Sequence, residues 1–109
     1  IPSRSMLLVL LMNFLDRIIM IDYKYDEEEL IKELQEYVDV TYGQHYSQDK
    51  VQTTEFVIDA GHGEGFCLGN VIKYTQRYGK KEGKNRKDLL KVLHYGLIAL
   101  HVHDLEAGE

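Results

Sequence analysis

Asn70, Lys73 and Arg77 recur at i, i+3 and i+7 in the stretch GFCLGNVIKYTQRYGKK, residues 65 to 81. On a helix this spacing sets them in one row about 10 Å long. Asp88, Lys91 and Tyr95 repeat the spacing further along the chain. A guanidinium offers phosphate a bidentate fork and an ammonium offers it a point charge. If the two helices pair as an antiparallel hairpin, the rows converge at the edge of the seam and make a phosphate site. Asn70 and Tyr95 would then orient the ligand, with Lys80 and Lys81 adding charge. The competing reading makes Asp88 a structural bridge to Arg77 or Lys91.

Other residues offer different chemistry. Glu33 and Glu36 on one helix, with Glu55 and Asp59 on another, could present four oxygens to Mg²⁺. That set resembles the ExxE and ExxD pattern of MazG-like all-α nucleotide pyrophosphohydrolases, with the second half one residue longer; a solvated acidic face is the alternative. The glycines of DAGHGEG, residues 59 to 65, do not continue as a dinucleotide fingerprint. Gly79 to Asn85 is one residue short of a P-loop and ends in Asn. His94 and His101 lie about 10 Å apart along one helix, too far to chelate one metal. His45 and His62 remain single candidates for acid–base or phosphate contact. Cys67, the one cysteine, has no thiol to pair with inside the chain and reads as packing.

Charge points the same way as the polar rows. The chain carries −5 overall, yet residues 73 to 91 hold eight Lys or Arg against Glu82 and Asp88, a net of +6. The rest of the chain therefore sums to −11. Such asymmetry suits an anionic partner for the basic part, although a charge cluster can also be a solvated face. Hydrophobic content of 44% and charged content of 28% exclude a disordered chain.

The elements that must hold these residues are helical. Asp26 is a candidate N-cap, Glu27 to Glu29 favour a first turn, and Leu30, Leu34, Tyr37, Val38 and Thr41 share a face. These predict a helix from about 26 to 41, ended by Gly43. QHYSQDK reads as a polar connector, with Thr53 or Thr54 capping a short helix to about Ala60. A further helix spans Glu64 to Tyr78, with Leu68, Val71, Ile72, Thr75 and Tyr78 on its apolar face. The last runs from about Arg86 to Asp104, with Leu89, Leu93, Gly96, Leu97 and Leu100 as its core stripe. Apolar residues on its other faces predict burial on more than one side, hence self-association.

A family resemblance adds to this. His45-Tyr46, Glu55, the stretch 65 to 81 and KDLLKVLHY, residues 87 to 95, resemble a small phage domain, mostly of unknown function. That family includes the nucleotide kinase of short-tailed phages, a deoxynucleoside monophosphate kinase without a P-loop. The resemblance implies a viral origin, a place in the cytoplasm of the infected host cell, and a role in nucleotide metabolism. Carried over by position, it implies His45, Asn70, Lys73, Arg77, Lys80, Lys81, Lys91 and Tyr95 as phosphate- or nucleotide-binding residues. Gly69, Tyr74 and Asp88 belong to the same motif. Val92 and Tyr78 depart from the family pattern, which has Ala and a small residue there.

The expected architecture is all-α: a helical hairpin core with one or two additional helices, oligomeric in the sense that a second copy covers apolar surface. Residues 1 to 19 are expected to be an upstream extension or a remnant of cloning, and 20 to 109 a single domain with its motif region at 45 to 95. The run Met6 to Met12 is far short of the ~20 residues that span a membrane. The expected ligand is a nucleotide or phosphate. A MazG-like pyrophosphohydrolase using Mg²⁺ and a non-catalytic nucleotide- or nucleic-acid-binding accessory protein are the alternatives.

Overall fold

A computed structural model describes residues 2–108, apart from the side chains of 16–19 and 45–48. Its five helices are α1 (Arg4–Ile19), α2 (Glu27–Gly43), α3 (His45–Asp59), α4 (Gly63–Arg77) and α5 (Arg86–Glu106). The described residues contain no strand, as the sequence predicts. None of the described helices is long and apolar enough to cross a membrane.

The chain divides into two compact units, one up to Leu30 and one from Ile31 onward. In the first, the Ser3 hydroxyl accepts from the Met6 amide at 3.1 Å, capping α1. The large apolar side chains from Met6 to Leu15 are exposed. Asp26, expected as an N-cap, has a φ of +59°. The amide of Tyr25 instead finds the Glu27 carboxylate at 2.8 Å.

The second unit is organised by the hairpin of α4 and α5. Asn85 caps α5, its side-chain oxygen accepting from the Lys87 amide at 3.0 Å. Between the helices, Gly79 and Gly83 adopt φ of +87° and +69°, and the Gly79 amide donates to the Gly83 carbonyl at 3.0 Å. Glycine takes those angles without a Cβ clash, which is what turns the chain back so tightly.

The seam of this hairpin is not the one the apolar pattern predicts. On α4 the buried residues are Gly63, Cys67 and Tyr74, and on α5 they are Asp88 and Val102. Gly63 faces Val102, the Tyr74 ring faces Lys91, and Arg77 faces Asp88. Each pair of residue numbers adds to the same total, as an antiparallel register requires. Leu68 and Ile72 of α4, and Leu89, Leu93, Leu97 and Leu100 of α5, are exposed. The expected core stripe of α5 therefore lies outside. The reason is steric and electrostatic: Gly63 admits close approach, and the Arg77 and Asp88 pair needs the shielded face.

Residues 44 to 52 differ from the sequence expectation as well. QHYSQDK is helical from His45 rather than a connector. No Gly or Pro interrupts residues 44 to 60, so nothing stops the helix there. Thr53 and Thr54 are not caps; each hydroxyl donates at 2.9 Å to the carbonyl four residues back, Asp49 and Lys50. Helix α3 ends at Asp59, and Gly61 beyond it, with a φ of +88°, lets the His62 amide reach the Val57 carbonyl at 3.0 Å.

Candidate functional site: a cationic cluster on Tyr74

Tyr74 is the hub of the hairpin. Its ring is 7% exposed, and it stacks on Tyr95 at 6.0 Å between centroids with 12° between planes. Three cations gather on it: Lys73 Nζ at 5.0 Å, Arg77 Cζ at 4.8 Å and Lys91 Nζ at 4.8 Å. A tyrosine face carries the negative side of the ring quadrupole, so it attracts each cation. That attraction does not cancel their charge.

One carboxylate stands against them. Asp88 is wholly buried, and its Oδ1 accepts from Arg77 Nε at 2.9 Å and Nη2 at 2.5 Å. The bridge expected as an alternative is therefore present. Bonding to Asp88 and a smaller loss of hydration act on Arg77 together, and the net effect raises its pKa. Oδ2 of Asp88 is buried without a hydrogen-bond partner. Among the described residues, Lys73 and Lys91 have no carboxylate partner. Three cations thus share one bonded carboxylate, and Glu82 adds a weaker attraction to Arg77.

The structure brings Lys73, Arg77, Lys91, Tyr95, Tyr74 and Asp88 together. Asn70 is one turn before Tyr74, but its Nδ2 donates to the Phe66 carbonyl at 2.9 Å, leaving the amide oxygen for other contacts. Lys80 and Lys81 are exposed in the turn after α4, their amides bonded to the Arg77 carbonyl. Gly69 lies on the exposed side of α4, where a Cβ would meet nothing within 4 Å. Nothing inside the chain explains that glycine. The side chain of His45 lies outside those described.

The four acidic residues expected to hold Mg²⁺ are not gathered. Among the described residues, no group of three or more His, Cys, Asp or Glu side chains could hold a metal ion. Glu33 is engaged by Arg86 through a bidentate contact, Nε to Oε2 at 2.8 Å and Nη2 to Oε1 at 2.5 Å. That bond holds the Glu33 carboxyl below its usual range. Cys67 is buried and free, and burial pushes its thiol up, as suits packing rather than attack.

A cavity of about 630 Å³ opens beside the cluster, walled by α2, α3 and α5. Tyr74, Lys91 and Tyr95 belong to its lining, and so do Tyr37, Glu55 and His94. The pattern of apolar residues on α2 assigns Tyr37 to the core, and His94 has no partner at metal spacing. Their meeting depends on how α2 sits against α5, which one helix's periodicity does not encode.

Residues 40–96, just over half the chain, match the family DUF3310, described as a protein of unknown function. The chain belongs to this family. No curated protein and no solved structure matches the chain. The matched span covers α3, α4 and the half of α5 that carries Asp88, Lys91 and Tyr95.

Proposed function

We propose that this chain binds a nucleotide through its phosphate, held by Lys73, Arg77 and Lys91 around Tyr74. The observation that carries this reading is the charge surplus at the ring: three cations within 5.0 Å of its centroid and a single carboxylate bonded to any of them, with Glu82 adding a weaker pull on Arg77. A phosphate supplies the missing negative charge and accepts from ammonium and guanidinium together. Lys80 and Lys81, one turn away, can close on the outer oxygens.

The resemblance to the small phage domain supports the nucleotide class and extends it to a viral protein acting in the host cytoplasm. It also supports kinase-like phosphoryl transfer, which chiefly needs positioning and charge stabilisation. The MazG-like alternative has less support, because its carboxylates are dispersed and Glu33 is committed to Arg86. The exposed leucines of α5 support a homo-oligomer.

Titration calorimetry with a deoxynucleoside monophosphate provides the test. Binding should weaken with added salt and fall at least ten-fold in the Lys73→Met, Lys91→Met double variant. Wild-type protein that ignores the nucleotide, or a double variant that binds it equally well, overturns the reading. Transfer of phosphate from ATP in the same mixture would mark a kinase. Binding without transfer would mark a non-catalytic accessory protein.

A further inference from the structure

Four aromatic rings form a row leading into the cavity from the cationic cluster. Tyr74 stacks on Tyr95 at 6.0 Å, Tyr95 lies against His94 at 6.4 Å and 32°, and His94 meets the edge of Tyr37 at 6.0 Å and 90°. The row crosses from α4 through α5 to α2. All four rings line the cavity, so each offers it some surface. Among the described residues the cation contacts on these rings fall on Tyr74, while Lys50 and Lys87 stand elsewhere in the cavity wall.

This polarity defines a ligand with a flat ring at one end and an anion at the other. We infer that the cavity between α2, α3 and α5 is a base-stacking subsite, in which a mononucleotide lays its base against Tyr37 and His94 while its phosphate reaches Lys91. This rests on the phosphate reading above and adds to it where the base goes. A volume of about 630 Å³ lies in the usual range for small-molecule pockets. Every base has a π-face, so stacking gives affinity without demanding one base.

A single strand of nucleic acid would require something else. Its phosphates follow one another, so a strand site needs cations along the aromatic row. Here Lys73, Arg77 and Lys91 converge on one ring, and the other lysines of the cavity wall, Lys50 and Lys87, are not among the cations gathered on it. The arrangement favours one phosphate and one base. Tyr37 lies before the span matched by the family, so this end of the subsite is built from residues outside it.

The closing experiment compares three probes by calorimetry: a deoxynucleoside monophosphate, deoxyribose 5-phosphate and inorganic phosphate. Wild-type protein should bind the nucleotide at least ten-fold more tightly than the sugar phosphate. Tyr37→Ala should remove most of that advantage and leave the sugar phosphate unchanged, while Tyr37→Phe should keep it. A measurement on wild-type protein guards against a misfolded variant: nucleotide, but not sugar phosphate, should shift the ring-proton resonances of Tyr37 and His94. Equal affinity for nucleotide and sugar phosphate overturns the subsite and leaves the phosphate site standing. Failure of all three probes overturns both. Binding to an oligonucleotide but not to the mononucleotide also overturns the subsite, in favour of a strand groove.

Discussion

At Asp88 a carboxylate with no solvent exposure directs one oxygen to Arg77 and leaves the other without a partner. Such a group is costly to bury unless it is well bonded, so its place at the start of the hairpin reflects a specific task. It fixes Arg77 over the Tyr74 face, where the two lysines also lie. His94 is another residue whose setting alters its titration. Partial burial disfavours its imidazolium, so its pKa lies below the ordinary value of 6.5. As pH falls, the unfolded chain takes up this proton before the folded one. Stability is thus complete above about pH 6.5 and declines as pH drops through the folded pKa. Urea midpoints measured from pH 7.5 to 5 should fall, and the fall should be smaller in His94→Phe. An identical slope in that variant would assign the loss to other groups.

Among the elements, two of the three glycines of α4 have opposite meanings. A Cβ at Gly63 would come within 3.0 Å of Val102 on α5 and 3.1 Å of Ile58 on α3. Gly63→Ala should therefore destabilise by about 1 kcal/mol or more, through overpacking. At Gly69 a Cβ meets nothing within 4 Å in the middle of a helix. Gly69→Ala should stabilise by roughly 0.5–1 kcal/mol, since glycine is a poor helix former. Thermal unfolding of the two variants should show shifts of opposite sign. If Gly69→Ala is more stable but binds nucleotide less well, the glycine serves the approach of a ligand or a partner.

For the whole molecule, the question is what covers the leucines. Among the described residues the buried apolar side chains are Cys67, Tyr74 and Val102, whereas Leu89, Leu93, Leu97 and Leu100 are between 44% and 62% exposed along one helix. A ladder at this spacing is suited to pack against its own copy. Sedimentation of wild-type protein should give a mass above the 12.7 kDa of one chain. Leu93→Lys with Leu97→Lys should lower it. A wild-type monomer would remove the oligomer and leave the leucines unexplained.

The sequence by itself determined α2, α4 and α5 and their approximate ends, because helical period and glycine act locally. Gly43 ends α2, and the turn at Gly79 falls where it is expected. It also narrowed the partners of Asp88 to Arg77 or Lys91, and the structure chose Arg77. Only the tertiary structure decided which face turns inward. Hydrophobicity assigns the leucines of α5 to the core, but a glycine contact at one end and a buried ion pair at the other set the seam on the polar motif instead. The aromatic row through Tyr37 and His94 was illegible for the same reason. It joins three helices, and no periodicity along one helix records where another comes to rest.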